Sequence, residues 1–358
     1  MGLDVTVPAD TQARIDFCLG LRRHWSHEMY GALRAKYDAR VAGAATKPRT
    51  GEDAGPIVES LPLYSTFAWF ERNIQKMKWR AVTEACAADA DRLVAALNAP
   101  VASPLGSLEL DPSLQLPAYY SGTDFHIQPG GVWSADLNAF IYELGAKVIF
   151  LGKNDDYAFH RLFTERAVPA GDYRDILDMG CGFGKSTWPF VDRFPEARVV
   201  GIDLSAPVLK LAHRKTERLG KKIAFQQRAA ERTGFPDASF DLVTATMLIH
   251  EQPMPVMRTT LAEMYRLLRP GGRIAILDYH RTGDPLRDFL MLGHAARNNE
   301  PYMGHILKVD TAAIAREVGF KDEALLPFDE RGHGPREDGV WPERREWHFP
   351  WVVLRGRK

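Results

Sequence analysis

Cysteine is scarce in this 358-residue chain: Cys18, Cys86 and Cys181 are widely spaced and odd in number. That excludes a disulfide framework or a CxxC metal knuckle and points to a reducing, cytoplasmic setting. Net charge is missing as well, with 46 Lys plus Arg against 46 Asp plus Glu, so the field that draws nucleic acid to a basic protein is absent. No apolar run approaches the roughly 20 residues that span a bilayer. Met1-Gly2-Leu3-Asp4-Val5 has no basic region followed by an apolar stretch, so no export signal is expected. The eleven histidines form no HExxH and no close His/Cys cluster, and no metal is expected. Internal repeats and low-complexity tracts are missing too. These absences leave a small-molecule partner as the expectation, without nucleic acid or a membrane span, and with a homodimer open.

What is present is the composition of a folded globular protein, 45% hydrophobic and 26% charged. The length exceeds what one core usually serves, and two units are expected. Residues 11–41 and 66–98 carry apolar positions at helical spacing, such as Leu19, Trp25, Met29 and Leu33, then Phe70, Ile74, Met77 and Val82. Residues 47–56 read as a polar loop punctuated by Pro and Gly, and residues 99–132 as a second such stretch. The division expected is a helical N-terminal region and connector over 1–132, which could cover a substrate, followed by a ligand-binding domain over 133–358.

A long helical pattern runs from about Ser134 to Ala167, with Phe140, Leu144, Val148 and Leu151 on one face. Strands and helices then alternate. Short apolar runs at 175–178, 198–203, 223–225, 240–244 and 273–278 are separated by helical segments, as in a parallel sheet buried on both faces. A helix near 310–318 and strands near 323–328 and 349–354 complete a seven-stranded, mostly parallel, Rossmann-like α/β sheet with helices on both faces.

The first strand leads into Asp178-Met179-Gly180-Cys181-Gly182-Phe183-Gly184-Lys185-Ser186-Thr187. Glycines at such a turn accept positive φ and let a ligand approach the backbone. About 20 residues on, Asp203 ends the second strand, where a carboxylate can accept both hydrogen bonds of a ribose diol. The spacing is GxGxG, not the dinucleotide GxGxxG. A phosphate loop would need glycine at 179, which is Met179. Loop and acid together specify an adenosine-type ligand.

Two further segments, Phe235-Pro236-Asp237-Ala238-Ser239-Phe240-Asp241-Leu242-Val243 and Leu267-Leu268-Arg269-Pro270-Gly271-Gly272-Arg273, complete an ordered set. With these motifs the chain resembles the class I S-adenosylmethionine (SAM)-dependent methyltransferases, in particular the type-11 group that includes ubiquinone and menaquinone biosynthesis enzymes. The resemblance covers residues 172–280 strongly. It implies that SAM is the cofactor, with Gly180, Cys181, Gly182 and Gly184 beneath its methionine and ribose, Asp178 near its amino group, Asp203 on the ribose, and Leu204 and Ala230 flanking adenine. The acid that the family often carries after the third strand is Ala229 here, for which Glu231 or Gln227 could compensate.

The activity so implied is methyl transfer to O, N, S or C of a small, partly apolar metabolite, with release of S-adenosylhomocysteine. His250 and then Glu251, just after the fourth strand, are the candidate bases, at the ligand-binding edge of the sheet. Substrate candidates are Tyr120 and His126 in the aromatic stretch 119–133, Tyr279 and His280 at the end of the fifth strand, and His294 and Tyr302 in the segment 281–309, with Met291, Met303 and His305 beside them. The rival readings are an inactive SAM-fold binding or scaffold protein and a NAD-dependent oxidoreductase.

Overall fold

The computed structural model describes residues 2–102, 104–149, 154 and 156–358. Leu151, expected on the long helix, lies outside the described residues. Among those described, nine strands form one sheet: β1 (Ser107–Glu109), β2 (Asp175–Met179), β3 (Arg198–Asp203), β4 (Ala224–Gln227), β5 (Phe240–Thr246), β6 (Leu268–Tyr279), β7 (Lys321–Asp329), β8 (Gly334–Pro335) and β9 (Trp351–Arg357). Their order is β1-β4-β3-β2-β5-β6-β9-β7-β8. The pairs from β1 through β6 are parallel, and β9 is antiparallel to both β6 and β7. The expected seven strands are all present. The two extra ones are short edge additions, and β1 arises inside what read as a connector.

Chain order reverses at β2, which has β3 on one side and β5 on the other. Crevices at such a switch point, beyond the carboxyl ends of the strands, are where open α/β sheets bind ligands. Met179, Asp203, Gln227, Thr246 and Tyr279 end their strands along that edge.

The N-terminal region is helical. Ala9–His24 and Tyr30–Ala42 are joined by a wider turn at Trp25–Met29, and Pro62–Ala87 and Ala90–Asn98 follow. The polar stretch expected as a loop instead contains the helix Gly51–Glu59, begun by a reciprocal capping box between Thr50 and Asp53. Its glycines serve a helix contact: a Cβ on Gly51 would sit 2.8 Å from Phe289 N, and one on Gly55 3.2 Å from the Phe289 ring. The long pattern from Ser134 is a helix only over Asp136–Ile149, and Ala158–Leu162 and the wider turn Phe163–Ala167 come later.

Helix Asp136–Ile149 lies between the N-terminal helices and the sheet, packing on Pro62–Ala87 and on Ala206–Arg218. The fit to Pro62–Ala87 depends on Gly145, where a Cβ would lie 2.4 Å from the buried Trp79 ring. Gly145→Ala is therefore expected to destabilise the protein by about 1–3 kcal/mol, because overpacking outweighs alanine's better helix propensity. Urea unfolding checks this, and a variant as stable as wild type would contradict the packing.

Candidate active site

The glycine loop leaves β2 and enters the helix Trp188–Arg193. Gly180, Gly182 and Gly184 have φ of +67°, +50° and +92°, a region that side chains rarely tolerate. The loop is pinned from behind. Asp178, wholly buried in β2, accepts hydrogen bonds from Ser186 Oγ and Thr187 Oγ1, both at 2.7 Å, and from Thr244 Oγ1 at 3.2 Å. Thr244 is Asp178's register partner on β5. Burial pushes the Asp178 carboxyl up to about 6 against these hydroxyls.

Asp203 stands at the cavity side of the loop. Its Oδ2 accepts from Gly182 N at 2.9 Å and its Oδ1 from Ser205 N at 2.8 Å, while burial pushes its carboxyl up to about 6. Gly180, Cys181, Gly182, Leu204, Ala230 and Glu231 line the same cavity. Of the two side chains that could compensate for Ala229, Glu231 faces the cavity and accepts from the Tyr119 hydroxyl. Gln227 is engaged elsewhere, donating to Leu204 O and accepting from Asp111 N.

The opposite wall begins in the single turn Ile249–Glu251 after β5. His250 Nδ1 is 2.7 Å from Asp278 Oδ1 of β6. Asp278 is itself held by the backbone N–H groups of Ile249, His250 and Tyr279. This fixes the imidazole with Nδ1 toward the carboxylate. Nε2 is buried without a hydrogen-bond partner, 3.9 Å from the equally unpartnered Glu300 Oε2. Burial lowers the His250 pKa, but Asp278 first, then Glu251 and Glu300, raise it overall.

Glu300 ties this wall together. Its Oε1 is 3.1 Å from His126 Nδ1 and 3.5 Å from His294 Nε2. His126 Nε2 is 3.2 Å from Glu251 Oε1, and His294 Nδ1 is 2.6 Å from Glu71 Oε1. His126 sits at φ +55°. That strained backbone is held by Gln75 Nε2 and Trp79 Nε1, which donate to its carbonyl at 3.1 and 2.7 Å. Burial lowers the His126 pKa, yet Glu300 and Glu251 bring it to about 10. Burial likewise opposes ionisation of Glu300, which His126 and His294 nevertheless hold well below the usual carboxylate range.

The cavity thus unites Gly180, Cys181, Gly182, Asp203, Leu204, Ala230, Tyr120, His126, His250, Glu251, Tyr279 and His294. Several expected residues stand outside its lining. Asp178 lies behind the loop, and Gly184 packs on Trp188, 2.8 Å from a would-be Cβ. His280 Nε2 is 3.0 Å from Val309 O, and Tyr302 stacks edge-on behind Tyr119. Met291, Met303 and His305 also fall outside. Residues not anticipated line it instead: Arg22, Gln75, Tyr142, Lys185 and Glu300. Lys185 follows the last glycine directly, a visible signal; burial lowers its pKa to about 8. Among the described residues no His, Cys, Asp and Glu group could hold a metal ion, and no helix is long and apolar enough to cross a membrane.

A family model described as a methyltransferase domain matches residues 176–272. The demethylmenaquinone methyltransferase of Deinococcus radiodurans is 33% identical over 192 residues, covering 53% of this chain and 74% of that protein. That of Thermus thermophilus is 33% identical over 138 residues, 38% of this chain and 60% of the relative. The trans-aconitate 2-methyltransferase of Azoarcus is 40% identical over 109 residues, 30% of this chain and 40% of the relative. Against these last two, the chain spans less than two thirds of the relative's length.

The His126 geometry makes a stability prediction. Because the folded pKa is raised from 6.5 to about 10, its contribution is fully present below pH 6.5 and is lost as pH rises through 10. Urea unfolding should therefore show stability falling more between pH 6.5 and 10 for wild type than for His126→Asn. Equal falls would contradict the ion-paired assignment.

Proposed function

The chain belongs to the class I SAM-dependent methyltransferases, and from that premise we propose that it transfers the SAM methyl group to a small, partly apolar acceptor bound against the His250 wall. The residues fit SAM: the loop at Gly180 and Gly182 has the positive φ of a backbone open to close approach. Asp203 presents a carboxylate in the same cavity for a ribose diol. Leu204 and Ala230 would border adenine, and Glu231 is the available carboxylate near its amino group. Asp178 acts in this reading by fixing the loop from behind.

When bound, SAM supplies a methyl carbon made electrophilic by its sulfonium sulfur. The observation that carries the reading is the oriented His250, whose Nε2 is unpartnered in a cavity it shares with the loop and Asp203. Asp278 holds the tautomer that leaves Nε2 as proton acceptor. An acceptor O–H or N–H set against Nε2 would give its proton to that nitrogen, and bound SAM would supply the methyl carbon to the acceptor's lone pair, its sulfur keeping the electron pair of the broken carbon–sulfur bond. Holding acceptor and methyl carbon in line supplies much of the acceleration. Glu251, paired with His126, positions the wall and is not the base.

Asp203→Ala is expected to weaken SAM binding about tenfold or more in titration calorimetry. His250→Ala should keep wild-type SAM affinity and lose about 10²–10⁴ in kcat, read as label passing from methyl-labelled SAM into small molecules of a host extract. The wild-type rate should rise with pH through a limb above 6.5 that His250→Ala lacks. A folded protein that does not bind SAM would overturn the reading.

A further inference from the structure

Arg22 reaches the active-site cavity from the helix Ala9–His24. Among the described residues its guanidinium has no hydrogen bond and no ion pair, and its Cζ lies 5.9 Å from the Trp25 ring. Glu71, whose charge offsets part of the effect of burial on Arg22, is already committed to His294 Nδ1 and to Arg297 Nε. Of the other wall carboxylates, Glu251 and Glu300 Oε1 face His126 and Asp278 faces His250, while Glu300 Oε2 lies 3.9 Å from His250 Nε2. Arg22 is half-buried, so its guanidinium keeps access to the cavity, and a planar fork left without an anion there suits a carboxylate or phosphate.

The surface beside Arg22 is aromatic. Tyr279 packs on Trp351 at 4.6 Å and on Phe349 at 5.3 Å, and all three line the cavity. Tyr279 also lies 4.8 Å from the His250 ring, and its neighbours Phe349 and Trp351 share a second lining with Arg22. An apolar platform therefore connects the base to the unpaired cation.

Resting on the methyltransferase reading above, we propose that Arg22 binds an anionic group of the methyl acceptor. The acceptor is then an apolar or ring-bearing metabolite whose carboxylate or phosphate lies apart from the atom methylated at His250. Arg22 acts as a specificity residue and takes no part in the proton transfer.

The test uses the full chain, methyl-labelled SAM and a host extract, with products separated on an anion exchanger at pH 7. The expected product of wild type is retained as an anion. Arg22→Gln should raise the KM for that fraction about tenfold to hundredfold, with Arg22→Lys between, while both variants bind SAM as wild type does and so are folded. A neutral labelled product, or Arg22→Gln activity equal to wild type, would overturn the proposal and leave the methyltransferase reading standing. Weakened SAM binding in both variants would overturn it too, by assigning Arg22 to the cofactor's own carboxylate. SAM binding with no label transferred by wild type would instead remove the methyltransferase reading and this inference with it.

Discussion

The Glu300 carboxylate is the contact on which the architecture of the site depends. It is buried, and a buried charge is tolerated only when its partners are in place. Its partners are His126, from the segment before the sheet, and His294, six residues earlier on the helix Pro285–Arg297, while the unpartnered His250 Nε2 of the turn after β5 lies 3.9 Å away. Glu71 on the helix Pro62–Ala87 extends the set through His294. Satisfying one carboxylate therefore brings helical and sheet-derived elements to the same wall and closes a chamber over the sheet edge.

The facing side follows a different logic. There the loop after β2 is shaped by its glycines and held by Asp178, whose partners Ser186, Thr187 and Thr244 are hydroxyls. Neutral donors suffice because burial already pushes this carboxyl toward its uncharged form. One wall is thus a rigid backbone cradle and the other a set of paired charges with an unpartnered imidazole nitrogen among them. That division matches a cofactor recognised by shape and an acceptor that must give up a proton.

The fold was legible where its signals are local. Apolar runs separated by helical segments marked β2 to β7 and β9, and the loop with Asp203 marked the ligand edge. β1 was missed because three residues, Ser107–Glu109, carry no readable alternation. The stretch 47–56 reads as a loop because its glycines and prolines look like breakers, although Gly51 and Gly55 serve a close contact with Phe289 inside the helix Gly51–Glu59. In the site, His250 and Asp278 were both visible, but their pairing comes from the parallel register of β5 and β6 and not from sequence spacing. Glu300 and Arg22 carry no local mark at all: each looks like a solvated charge, until the fold buries Glu300 and turns Arg22 into the cavity wall.

The most direct test of the central claim, that cradle and imidazole wall serve one methyl transfer, is a crystal structure of the protein with S-adenosylhomocysteine. The ribose hydroxyls are expected on Asp203, with the sulfur opening toward the chamber bordered by His250 and Tyr279. A ribose held away from Asp203, or a sulfur walled off from His250 by protein, would contradict it.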